Sequence, residues 1–202
     1  MKIRYAASAA LALAAALVLA GCADSGNSGS MPGMDHGSSM SPSASAVAGD
    51  FNDADVMFAQ MMIPHHQQAV EMSDMLLTKD GIDDRVVTLA EDIKAAQQPE
   101  LTQLESWLQA WGADPAMNSM DGMDHGSGTM TGEDMQALDA ATGADAARLF
   151  LEQMTMHHEG AIEMAEGEID NGQNPDAVEM AQTIIDTQTA EITAMKEILG
   201  TL

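Results

Sequence analysis

The feature that most limits what this chain can fold into is a duplication: FAQMMIPHHQQAVEM, Phe58 to Met72, returns 92 positions later as FLEQMTMHHEGAIEM, Phe150 to Met164. In the first copy Phe58, Met62, His65, Ala69 and Met72 step by four, three, four and three residues, and Phe150, Met154, His157, Ala161 and Met164 repeat the pattern. That interval returns to one face of an α-helix. A second stretch is also repeated, with Gln97, Glu100, Leu101, Leu104 and Leu108 recurring as Gln188, Glu191, Ile192, Met195 and Leu199. Each half is therefore a helical hairpin with a short turn. Two such hairpins predict an all-α, antiparallel four-helix bundle. An aromatic content of 3% and few β-branched runs argue against sheets.

Local signals place the helix ends. The first helix starts at Asn52, an N-cap with acids in the following turn, and reaches about Lys79 before Asp80-Gly81. The second spans about Ile82 to Trp111 and stops at Gly112; a short helical piece covers Glu133 to Ala140. The third long helix runs from about Ala144 to Asp170, and the fourth opens with Asn174 as cap and Pro175 at its first position, ending at Leu199-Gly200. Pro64 and Pro99 fall inside helices, where each removes a hydrogen bond and should kink its helix, unless the second helix breaks near Gln98.

Ahead of the bundle, Lys2 and Arg4 precede an apolar run from Ala6 to Ala20 and the string Leu19-Ala20-Gly21-Cys22, which has the form of a bacterial lipobox. Residues 1–21 read as a lipoprotein signal peptide, 22–49 as a flexible Ser/Gly/Met tether, and 50–202 as the bundle with a Met/His-rich loop at 113–132. About 15 apolar residues are short for a membrane span of roughly 20. Cys22 is the sole cysteine, so its lipidation would leave no thiolate for a metal and no disulfide. The expected location is the cell envelope, on the extracytoplasmic side of a membrane. Removing the signal leaves five Lys and Arg against 32 Asp and Glu, a net charge near −27, which excludes nucleic acid as a partner. Such a surface repels anionic lipid, so membrane attachment would come from the acyl chains at Cys22.

All six histidines lie in duplicated strings, and methionine, at 19 of 202 residues, accompanies them. Besides the helical pairs, MPGMDHG (Met31, Met34, His36, followed by Met40) returns as MDGMDHG (Met120, Met123, His125, preceded by Met117 and followed by Met130). These motifs sit in segments read as having no core to fill, so burial does not account for their methionines. Thioethers are soft, uncharged donors that suit Cu(I) and Ag(I) and need no deprotonation, and imidazole completes a low-coordinate site. In the helices, the periodicity points His65 and His157 inward and puts His66 and His158 at the flank, about 100° around. Distances from the hairpin turns set His65 level with Gln97 and His157 level with Gln188. Two readings stay open for this layer: His-Gln hydrogen bonds that fix helix register, or a metal site.

The doubled HH strings, each followed by Ile-x-x-x-Gln-x-x-Glu-[Leu/Ile], with Ser106-Trp107-Leu108 in the first half and the bridge Glu133 to Met154, closely resemble the repeats of the DUF305 family, which includes CopM-like copper metallochaperones. The likeness covers about residues 50 to 200. It implies a ferritin-like four-helix bundle, an extracytoplasmic location and, for some members, copper or silver held by Met and His. Carried onto this chain, the implied ligands are Met61, Met62, His65, His66, Met72, Met154, His157, His158 and Met164; Pro99 departs from the usual pattern of the second helix.

The expectation is a lipoprotein that binds copper, Cu(I) first with Ag(I) or Cu(II) as alternatives, for resistance, storage or delivery to a copper-transfer partner protein. It is expected not to be an enzyme. Glu-x-x-His, which a dinuclear iron or manganese oxidoreductase of this architecture would carry, is missing, as are HExxH and CxxCH. A metal-free envelope interaction scaffold is the other alternative.

Overall fold

The computed structural model describes residues 49–115 and 128–202, which form α1 (Asp53–Leu77), α2 (Asp84–Trp111), α3 (Gly132–Ala140), α4 (Gly143–Asn171) and α5 (Pro175–Leu199). The signal, residues 22–48 of the tether with Cys22, and the motif residues Met31, Met34, His36, Met40, Met117, Met120, Met123 and His125 lie outside the described residues. α1 packs on α2 and α4 on α5 as hairpins, α1 and α4 pack on each other, and α2 touches α5 only lightly. The short α3 lies over α1 and α4 and seals them with the buried Leu138. This is the expected all-α four-helix bundle of two repeated hairpins.

The helix ends fall where side chains satisfy backbone groups. The Asn52 side chain accepts from the N–H groups of Ala54 and Asp55, while Asp55 accepts from the Asn52 N–H at 2.6 Å, a capping box. α2 begins two residues later than the sequence suggested, because Asp83 takes the cap and accepts from the Arg85 N–H at 2.9 Å. Gly112 ends it in the left-handed conformation, φ +68°, which lets the Ala113 N–H reach back to the Leu108 carbonyl. Asn174 caps α5 as expected, with Pro175 following. Both proline-bearing helices are continuous, and α2 does not break at Gln98. Pro64 and Pro99 are exposed, so the carbonyls they leave unpaired can face water.

The interior has two apolar clusters with a polar layer between them. One gathers Met72, Leu76, Val86, Ile93, Phe150, Met154 and Met195; the other gathers Phe58, Met62, Leu104, Leu108, Ala161 and Ile184. Each cluster draws on all four long helices, which is possible because neighbours run antiparallel. The layer between them holds His65, His66, Gln97, His157, His158 and Gln188, all buried.

One expectation about the loop is overturned. Met130 is 9% exposed and belongs to the first cluster. Its backbone is held by Gln68, which donates to the Met130 carbonyl at 2.9 Å and accepts from the Met130 N–H at 2.7 Å. Core filling therefore explains this methionine, since the chain turns inward to start α3 against α1.

Candidate metal centre

The centre is built on the contact between α1 and α4. The rings of His65 and His157 meet with centroids 3.6 Å apart and planes inclined by 37°. Each is 6.4 Å from its own chain neighbour, His66 or His158, so the four imidazoles form one buried set across the two halves. The inward direction of His65 and His157 agrees with the helical stripe.

The flank position expected for His66 and His158 is wrong. Both are fully buried. His66 Nε2 lies 2.7 Å from Glu100 Oε2, and His158 Nε2 lies 2.7 Å from Glu191 Oε2. The physical reason is that α1 and α4 each pack against two helices, so each has two buried sectors. His65 and His157 occupy the sector between α1 and α4, while His66 and His158 turn toward the hairpin partners α2 and α5. A stripe that assumes one partner helix finds only the first pair.

The glutamines are buried as expected but do not satisfy the histidines. Neither side-chain polar atom of Gln97 has a hydrogen-bond partner, nor does Gln188 Oε1. The His-Gln register bonds are therefore not formed on the Gln97 side. Both ring nitrogens of His157 also lack a partner of good geometry, as do Nδ1 of His66 and Nδ1 of His158. A buried polar atom left unmade costs on the order of 1–3 kcal/mol, so a layer with this many is costly unless something else engages it. Burial holds the His157 imidazole well below the ordinary histidine range, helped by the neighbouring rings of His65, His158 and His66, with a weaker opposing contribution from the His65 backbone. His157 is therefore a neutral ring with a lone pair to offer.

The methionines divide by distance along the helix. Met62 and Met154 are fully buried and lie one turn before His65 and His157. Met72 is buried and Met164 half-buried, but each is seven residues beyond its histidine, about 10 Å along the axis. Met61 is half-buried beside Met62. Among the described residues no three His, Cys, Asp or Glu side chains are grouped to hold a metal ion on their own. The donors that the layer and the turn before it could offer are imidazole nitrogen and thioether sulfur, which are soft-ion ligands. The hairpin spacing sets Glu100 and Glu191 one turn beyond the glutamines, near Met62 and Met154, but it does not pair them with His66 and His158, as the structure does. The signal was present, since Gln-x-x-Glu is repeated in α2 and α5 at the level of the histidines.

The fold and the site together define a four-helix bundle of two repeated hairpins whose HH pairs lie in one buried layer, with His65 and His157 in contact. The chain belongs to the DUF305 family: residues 55–199 match the domain of unknown function of that name. It is similar to the DUF305 fragment from Deinococcus radiodurans, at 30% identity over 75% of this chain and 98% of that one, TM-score 0.69. It is also similar to the putative secreted DUF305 protein from Streptomyces coelicolor, at 31% identity over 73% and 91%, TM-score 0.68. CopM in its Cu(II)-bound form matches at 32% identity over 73% and 96%, TM-score 0.63, and CopM is also known in Cu(I)-bound and Ag-bound forms. A search of curated proteins returns no match.

Proposed function

We propose that this protein binds copper, with Cu(I) preferred and Ag(I) or Cu(II) also accepted, through histidine and methionine, as a lipid-anchored protein of the cell envelope serving resistance, storage or delivery. The observation that carries the reading is the buried imidazole layer, in which both ring nitrogens of His157 and the Nδ1 atoms of His66 and His158 meet no hydrogen-bond partner. Polar atoms in such a layer cost stability, and a soft metal ion offset by imidazole and thioether donors recovers it. The copper- and silver-bound forms of CopM, at about 31% identity, support the choice of metal.

The role of the Met/His strings around His36 and His125 is collection of the ion, because thioethers bind Cu(I) without losing a proton. The ion then passes to or from a copper-transfer partner protein. In this reading attachment to the membrane is by acylation of Cys22 in the lipobox-like string Leu19-Ala20-Gly21-Cys22. Binding and transfer, with no catalytic turnover, are the whole of the proposed activity.

Titration of the full chain with Cu(I) under a competing chelator tests the reading. Stoichiometric uptake should fall when His65 and His157 are replaced together by Ala, and fall further when Met34, His36, Met123 and His125 are also replaced. Uptake no tighter than that of a methionine-free bundle would remove the proposal in favour of a metal-free scaffold.

A further inference from the structure

Which atoms of the layer present themselves to a metal is decided by two glutamates on the outer helices. We infer that Glu100 and Glu191 are positioning residues that fix the tautomer of His66 and His158, leaving Nδ1 of each ring as a soft-metal donor, one in each hairpin. The inference rests on the copper reading for the identity of the ligand, but its structural half stands on the hydrogen bonds alone.

A carboxylate can only accept, so a 2.7 Å contact from Glu100 Oε2 to His66 Nε2 requires the proton to be on Nε2. The neutral ring has one N–H, and Nδ1 is then a lone pair. The same holds for Glu191 and His158, at 2.7 Å. In both rings this Nδ1 is buried and meets no hydrogen-bond donor. If the pairs served only to lock helix register, nothing would favour leaving a lone pair unmet in both halves. A ring whose N–H is held by a carboxylate and whose other nitrogen is open is the usual arrangement of a metal-binding histidine: the carboxylate sets the ring's orientation and makes the free nitrogen more basic. The two glutamates are partly shielded, at 15% and 13% side-chain exposure, so water competes weakly for these bonds. The arrangement occurs twice on separate helices, which gives one half of the molecule as a control for the other.

The test uses the full chain with 15N-labelled histidine, read by long-range proton–nitrogen correlation, and Ag(I) as a closed-shell probe. Before metal is added, His66 and His158 should show the Nε2-protonated tautomer. With Ag(I), the shift and the silver coupling should appear at Nδ1 of both rings. Glu100→Ala should mix the tautomers of His66 and weaken its silver binding by about 10- to 100-fold, with His158 unchanged in the same molecule. Glu100→Gln, whose amide oxygen can accept the same bond, should restore the tautomer and part of the affinity. An Nδ1-protonated ring in the metal-free protein overturns the positioning role, as does unaltered silver binding at His66 in Glu100→Ala. Silver bound elsewhere, with no coupling at either Nδ1, overturns it while leaving the copper reading in place. No silver binding at all defeats both.

Discussion

Glu168, near the end of α4, lies with its carboxyl against that of Asp55 in the first turn of α1, and both are buried. Asp55 accepts backbone N–H groups from Asn52, Gln173 and Asn174 at 2.6–3.2 Å, so it ties the α4–α5 turn to the start of α1 as an anion. Glu168 receives no such donors and is pushed up to about 8 by burial and by its neighbour Asp55. At about 8 the carboxyl favours its protonated form at pH 7, in which its O–H can donate to Asp55. By the 92-residue repeat, the equivalent positions are Leu76 and Ala147, both fully buried in the apolar cluster at the opposite end of the bundle. The fold thus accepts an apolar pair where it has this ionisable one.

From that pair follows a pH dependence of stability. The folded Glu168 value lies above the ordinary glutamate value of 4.5, so folding takes up a proton between the two. Stability contributed here is full below about pH 4.5 and falls as pH rises to about 8. Asp55 works the other way: its carboxyl is lowered from 3.8, with burial outweighed by its backbone and Glu168 hydrogen bonds, so its contribution is present above 3.8 and lost as pH falls through its folded value. Denaturant unfolding of Glu168→Gln against the parent should show a gap that widens in favour of the variant between pH 5 and 8, reaching on the order of 2–4 kcal/mol. A gap independent of pH would show that Glu168 is ionised in the folded protein.

The polar layer should cost stability when no metal is bound. Replacing His157 by Leu removes two ring nitrogens that lack partners, so the metal-free variant should unfold at equal or higher urea concentration than the parent, by about 1 kcal/mol. Its Cu(I) uptake should fall in the same preparation. A strongly destabilised variant would mark the layer as structural.

Metal should reverse that cost. Silver or Cu(I) at a hundred times the dissociation constant should stabilise the folded chain by about 2.7 kcal/mol, seen as a higher melting temperature that returns on adding chelator. The His65→Ala/His157→Ala protein should lose the larger part of this shift.

Gln68 anchors the start of α3 through its paired bonds to the Met130 backbone. Gln68→Ala should destabilise the bundle by about 1–2 kcal/mol and speed proteolysis between α2 and α3. Unchanged cleavage would show that Leu138 holds this region without help.

Much of this fold is legible because its signals are local. Asn52, Gly112, Asn174 and Pro175 mark helix ends through bonds made within three or four residues, and the repeated four-three spacing gives the hairpins their inner faces. The candidate site is only half legible. His65 and His157 follow from the stripe, but the direction of His66 and His158 depends on a second helix lying against each of α1 and α4, which periodicity along one chain segment does not register. Asp55 and Glu168 are 113 positions apart, and although Asp55 belongs to the capping box of α1, nothing local to either residue points to the other.

By itself the sequence determined that the chain is a doubled helical hairpin and that its histidines and methionines gather at a few places, because caps, periodicity and repetition act at short range. Tertiary structure decided the rest. It brought the rings of His65 and His157 to 3.6 Å, buried His66 and His158 against Glu100 and Glu191, and turned Met130 from a loop residue into core. Those outcomes depend on which surfaces meet across the bundle, and burial and hydrogen bonding between distant segments have no counterpart in local order.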